Sequence, residues 1–259
     1  MRDHATRTAR AKSTRTPRAD SDAAPIGRDL AAIVDRLGRR LRQREAVEPA
    51  VDPQHAARIA RAQRLVEFRA AVAPRYADAT LDGYGCEHAG QREAVAALRR
   101  YIAQWQDHED HGRGIVAVGP TGTGKTHLLI ATAREIITRH DTRARRLSGA
   151  RLYHEARVYM GRHEGEWLGR YLHVPILLID DPTPPAGALT DHQATTLQLI
   201  VDERGDHRRP TWATINVADD AEAARRLGAP IVDRLIDGAV MIQCEWPSFR
   251  APYTEDQAR

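Results

Sequence analysis

The sequence predicts an α/β fold, a parallel sheet flanked by helices, and three observations predict it. Apolar runs at residues 115–118, 174–179 and 211–215 have the length and unbroken apolar character of strands buried on both faces. Stretches whose apolar residues recur at spacings of three and four lie between them, as crossover helices require. A glycine-rich segment, Gly119 to Thr126, joins the first run to the helical stretch His127 to Thr138. Glycine at a strand-to-helix junction lets backbone N–H groups turn toward an anion.

Taken in order, residues 1–25 carry almost no large apolar side chain and are expected to form a disordered basic tail. Residues 1–20 hold five arginines and Lys12 against Asp3 and Asp20, a balance of +4 that equals the formal charge of the whole chain. Such an arm suits phosphate backbones or acidic partners, or is simply solvated. Residues 26–73 read as a small helical N-terminal region. Ile26, Leu30, Ile33, Leu37 and Leu41 share one helical face; a second helix, about His55 to Val72, sets Ile59, Leu65, Val66, Phe68 and Val72 against Arg58, Arg61, Arg64 and Arg69. These helices suit partner or DNA docking, or are packed helices with solvated arginines.

Residues 74–259 are expected to form the main domain. A turn-rich stretch to Gly90 precedes a helix with Val95, Leu98, Ile102 and Trp105 on one face. Asp107 to Arg113 reads as a charged loop whose His108 and His111 carry no chemistry. The whole chain of 259 residues, 42% hydrophobic and 29% charged, suits one large core with an appendage. No run reaches the roughly 20 apolar residues of a membrane span, so no membrane association and a cytoplasmic setting are expected. Cys86 and Cys244 are too few for a disulfide framework or a four-cysteine zinc site, and suit small buried residues.

Gly119, Pro120, Thr121, Gly122, Thr123, Gly124, Lys125 and Thr126 match G-x-x-x-x-G-K-[ST], the phosphate-binding P-loop, and His127 opens the helix after it. In this motif the lysine reaches the β- and γ-phosphates of ATP and the Thr126 hydroxyl ligates Mg²⁺. Of 39 basic side chains only Lys12 and Lys125 are lysine, so a lysine inside this loop marks a place for a flexible point charge rather than a planar guanidinium. The run Pro175 to Ile179 ends in Asp180 and Asp181, a Walker B arrangement in which Asp180 holds the metal. Asp181 either orients the attacking water, one methylene shorter than glutamate and hence with slow hydrolysis, or caps the turn before Pro182. The run Thr211 to Ile215 delivers Asn216 to a strand end, where an amide reaches the γ-phosphate or serves an ordinary turn.

The order of these motifs resembles the AAA+ ATPases of the DnaC, DnaI and IstB group, helicase loaders and transposition helper ATPases, over roughly residues 74 to 252. Pro74 to Tyr84 is similar to the group's segment leading into the nucleotide-binding core; Leu178 to Asp181 resembles its Walker B, and Arg209 to Asn216 its sensor 1 strand. Ile231 to Gly238 and Trp246 to Arg250 resemble its box VII and its sensor 2. The resemblance implies a P-loop NTPase of AAA+ type, with Arg234 as an arginine finger reaching a neighbouring subunit's ATP and Arg250 sensing nucleotide in its own site. Pro182-Thr183-Pro184-Pro185 departs from the group, which has a glycine soon after the Walker B acids.

What the resemblance implies is an ATP- and Mg²⁺-dependent helicase loader that hydrolyses ATP slowly, forms homo-oligomers on single-stranded DNA and engages a replicative helicase. Alternatives are an IstB-like helper acting with a transposase on duplex DNA, a small-molecule P-loop kinase, and a module that holds ATP without turnover.

Overall fold

The computed structural model describes residues 52–159 and 161–250, together with Asp35, Arg36 and Arg39. These last three are helical, and Arg39 meets Asp35 one turn away at 2.5 Å. The expected tail over residues 1–25 and the rest of the first expected helix lie outside the described residues.

The described residues from Pro53 onward belong to one compact unit. Helix α1 (Pro53–Ala71) leads through a 3-10 turn (Pro74–Tyr76) to α2 (Ala89–Ala103) and a short α3 (Trp105–Asp110). There follow β1 (Ile115–Val118), α4 (Lys125–His140), β2 (Ala144–Ser148), α5 (Gly149–Tyr159), α6 (Glu164–Leu172) and β3 (Ile176–Asp180). The chain continues through α7 (Asp191–Asp206), β4 (Thr211–Ile215), α8 (Asp220–Leu227), α9 (Ala229–Ile236) and β5 (Val240–Gln243). All strand pairs are parallel, in the order β2-β3-β4-β1-β5.

Alternation along the strands divides the core in two, because successive side chains point to opposite faces of a sheet. Ile115, Ala117, Ile176, Leu178, Trp212 and Ile242 face a layer built on α1, α2 and α4. Val116, Val118, Leu177, Ile179, Ala213 and Ile215 face a layer built on α5 to α9. Helix boundaries follow local chemistry. The Thr190 hydroxyl caps α7 by accepting the Gln193 N–H while the Gln193 side chain accepts the Thr190 N–H at 3.0 Å. Asp219 caps α8, and Gly228, at φ +94°, separates α8 from α9.

Helix α1 belongs with this core: Phe68 and Val72 are buried in it, and the division of the chain falls between Asp52 and Pro53, where the sequence suggested a boundary after residue 73. Its outward arginines are partly engaged, Arg64 with Asp141 and Arg69 with Asp78 at 2.7 Å. The expected charged loop from Asp107 is mostly helix, and His108 is buried, stacked on Tyr101 at 4.1 Å. Burial holds its imidazole below the ordinary histidine range. The periodicity was hidden because α3 is too short to show two turns of pattern.

Arg204 of α7 is fully buried. Its guanidinium donates to the carbonyls of Tyr171 (2.7 Å), Val174 (2.8 Å), Pro175 (3.1 Å) and Pro210 (2.6 Å), and to the Thr211 hydroxyl (2.9 Å). It thereby ties the approaches to β3 and β4, the two strands that lead to Asp180 and Asn216. Among the described residues, no helix is long and apolar enough to cross a membrane.

Candidate nucleotide site

The P-loop leaves β1 and enters α4 with three glycines at positive φ: Gly119 (+140°), Gly122 (+89°) and Gly124 (+86°). At each, a side chain would also meet neighbouring structure. A Cβ on Gly122 would overlap the Ser248 hydroxyl and come within 2.9 Å of its Cβ, and one on Gly124 would lie 2.6 Å from the Tyr84 ring. The loop is therefore built around glycine, as a backbone cradle for phosphate requires.

Lys125 is buried, with its ammonium donating to the carbonyls of Gly119 (2.7 Å) and Pro120 (2.6 Å) and lying 3.4 Å from the Thr123 hydroxyl. Burial pulls it below the ordinary lysine value, an effect opposed by Asp181 and Asp180 and reinforced by Arg250. The Thr126 hydroxyl donates to Asp180 Oδ1 at 2.6 Å, and the Thr214 hydroxyl to the same oxygen at 2.8 Å. The other carboxylate oxygen accepts from Arg146 of β2. Parallel register explains the convergence, since Asp180 pairs with Thr214 on one side and Ser148 on the other.

Asp181 has φ +53°; its N–H donates to the Thr214 carbonyl at 3.1 Å, and its carboxylate accepts from Thr183. It thus holds the turn into Pro182 and also lines the site. Two cavities, of about 450 and 700 Å³, share Thr121, Asp181 and Asn216 in their walls. The Asn216 carbonyl accepts from Arg226 at 3.2 Å. The His127 ring nitrogen lies 2.9 Å from the Thr80 carbonyl, beside Tyr84.

The smaller cavity runs from the P-loop to an aromatic wall made by Tyr76, Tyr84 and Phe249, with Arg250 also in its lining. Tyr84 and Phe249 meet edge to face at 5.3 Å. The C-terminal motif sits directly on the loop: Phe249 N–H donates to the Gly122 carbonyl at 2.9 Å, and both Trp246 Nε1 (2.8 Å) and the Tyr84 hydroxyl (2.6 Å) donate to the Thr123 carbonyl. Arg234 is elsewhere, on α9 with Nε 3.0 Å from Asp202. The structure therefore gathers residues 119–127, Asp180, Asp181, Asn216 and Arg250 around one cavity system and leaves Arg234 on the outer surface of the same subunit.

Tyr76, Thr183, Thr214, Arg146 and Arg226 line or brace the site without having been singled out individually from sequence. Only the register of β3 against β4 identifies Thr214, and nothing in the local pattern marks Arg146. For ATP and Mg²⁺ the residues present fit: the loop excludes side chains where phosphates would lie, and a hydroxyl and a carboxylate oxygen, the hard donors such a cation takes, converge at 2.6 Å. Thr126 and Asp180 would hold the metal.

Residues 38–254 match the family described as IstB-like ATP binding protein. The replicative helicase loader DnaC of Escherichia coli (strain K12) is 25% identical over 194 residues, covering 72% of this chain and 75% of that protein. A crystal structure of the DnaC helicase loader superposes with TM-score 0.62 at 25% identity, covering 67% of this chain and 100% of that one. A crystal structure of DnaI gives TM-score 0.57 at 24% identity, covering 69% of this chain and 94% of the other.

Proposed function

The chain belongs to the IstB-like ATP binding protein family and is a DnaC/DnaI/IstB-like AAA+ ATPase, and from that premise we propose that it loads a replicative helicase onto single-stranded DNA under control of ATP. The observation that carries the nucleotide reading is the meeting of Thr126 and Asp180 beside Lys125. The choice of helicase as partner rests on the likeness to DnaC.

In this reading loop N–H groups and Lys125 bind the triphosphate, and Asp180 with Thr126 holds the cation. A magnesium ion there neutralises charge on the phosphate oxygens. Asp181 and Asn216, on the wall shared by the two cavities, orient the attacking water. The Asp181 carboxylate, already bonded to Thr183, is a constrained base, which suits slow turnover. Arg250 reads the phosphates of its own subunit. Arg234, ion-paired to Asp202 on the outer surface, acts on the ATP of a neighbouring subunit when subunits assemble on DNA. Arg234 is not among the residues lining the P-loop cavity of its own subunit, which also counts against a single-subunit kinase. A second reading, a transposition helper, draws on the IstB kinship itself; a transposase gene next to this one would favour it, and a helicase or primase gene the loader.

The test is ATP hydrolysis with and without single-stranded DNA and a replicative helicase, with oligomer size followed in the same samples. Stimulation accompanied by assembly is expected. Hydrolysis by a monomer, indifferent to both additions, would refute the loader.

A further inference from the structure

A basic concavity lies at the edge of the sheet, where, among the described residues, β2 has β3 on one side and helix α1 rather than a strand on the other. This groove, of about 600 Å³, is lined by six arginines: Arg64, Arg143, Arg145, Arg146, Arg151 and Arg170. Glu67 is the one carboxylate residue in its lining among the described residues. Three of the arginines are matched by nearby acids, Arg64 by Asp141, Arg151 by Glu155 and Arg170 by Glu166. Arg143 and Arg145 are exposed, and neither has a carboxylate partner among the described residues; Arg145 lies over the Tyr171 ring at 5.7 Å.

Alternation along β2 sends Arg145 and Arg146 to opposite faces. Both line the groove, and Arg146 at the same time bonds Asp180, the acid beside Thr126. Its Nε is buried with no hydrogen-bond partner, so the guanidinium is incompletely satisfied where it stands. One side chain thus joins the groove to the nucleotide site.

Resting on the nucleotide reading above, we propose that the β2-edge groove takes the phosphodiester backbone of a single nucleic acid strand and that Arg146 relays its occupancy to Asp180. Guanidinium groups present planar forks of donors that match phosphate oxygens, and here they line a groove between α1 and the β2 edge along which an extended backbone can run. Of the rings in the lining, Phe68 and Tyr171 are 2% and 3% exposed and His173 alone is exposed, so recognition is chiefly by phosphate, without sequence preference. A phosphate in the groove competes for Arg146. The Asp180 oxygen it releases becomes free to bind cation, so nucleic acid lowers the Mg²⁺ concentration at which ATP binds.

The first measurement is binding of a fluorescent thymidine oligonucleotide to the full chain without nucleotide. Arg143→Glu with Arg145→Glu is expected to weaken it more than tenfold, and the exposed single variant Arg143→Gln by several-fold. For two to four phosphate contacts, log affinity should fall against log salt with a slope of about −1.4 to −2.8. Unchanged affinity in both variants, equal affinity for a duplex of the same sequence, or equal displacement by polyglutamate would overturn the groove. The second measurement is the Mg²⁺ dependence of fluorescent-ATP binding. In the wild type the oligonucleotide should lower the half-saturating Mg²⁺ several-fold; in Arg146→Gln that value should be low with or without it, and Arg146→Lys, which keeps the cation, should restore the dependence. Wild-type dependence in Arg146→Gln overturns the relay. Failure of the wild type to bind ATP at all would instead strike the nucleotide reading, since the oligonucleotide measurement needs no nucleotide.

Discussion

Gly122→Ala tests how the C-terminal motif serves the P-loop. The substitution puts a methyl group at φ +89°, which costs an L-residue about 1–2 kcal/mol of fold stability. That strain is present with or without ligand, so it does not change nucleotide affinity. The second effect does: the new Cβ overlaps the Ser248 hydroxyl and lies 2.9 Å from the Ser248 Cβ. Turning the hydroxyl away relieves the first contact and not the second, so the segment Trp246 to Arg250 must move. The 2.9 Å bond from Phe249 N–H to the Gly122 carbonyl is disturbed, and Arg250 leaves the lining of the cavity. If Arg250 makes one hydrogen bond to phosphate, its loss costs about 1.5–3 kcal/mol, or roughly a 10- to 150-fold weaker ATP complex. Anisotropy of a fluorescent ATP analogue measures this, and urea unfolding measures the strain separately. Ser248→Gly removes the overlapping atoms, so the double variant should bind ATP within a few-fold of Ser248→Gly alone while keeping the stability loss. If the double variant binds no more tightly than Gly122→Ala, the reasoning fails.

Two further outcomes follow from groups outside the cavity. Arg204→Met strands buried carbonyls that now receive a charged donor, and a loss of about 3–5 kcal/mol in urea unfolding is expected; a loss below about 1 kcal/mol would mean the guanidinium is dispensable. Arg234→Ala should abolish DNA-stimulated hydrolysis while an isolated subunit still binds ATP, and because its pairing with Asp202 is half-exposed, stability should change by no more than about 1 kcal/mol. Loss of ATP binding by the isolated subunit would assign Arg234 a structural role instead.

The parts of this protein that local sequence reveals are those whose chemistry is local. β1, β3 and β4 are buried on both faces, and their apolar runs are unmistakable; the P-loop is contiguous, and its glycines are each required by backbone conformation. β2 escaped because an edge strand has arginine at two of five positions, Arg145 and Arg146, where a central strand would have apolar residues. β5 has the same length as β1, but only Ile242 of its four residues is buried and it ends in Gln243, so it forms no full apolar run. In the site, Asp180 follows from its place at a strand end, but its attachment to Thr214 and Arg146 depends on which strands become neighbours. The aromatic wall has the same origin. Tyr84 and Phe249 are 165 positions apart and meet only because both their segments close over one loop.

The Thr123 carbonyl, which accepts from Tyr84 and from Trp246, has a consequence for how the protein responds to its ligand. A single peptide group of the loop is the clasp between the segment around Tyr84 and the segment around Trp246. Whatever holds that peptide still also holds both segments, and whatever pries either segment loose unsettles the loop. By mass action, a ligand that requires the closed clasp draws the population toward molecules in which both segments are fastened. Loosened segments, in turn, leave molecules with a weakened grip on the ligand. Nucleotide bound to the loop would therefore act as a fastener for the segments around Tyr84 and Trp246, and a partner pulling on either segment would be felt as a change in how long the nucleotide stays.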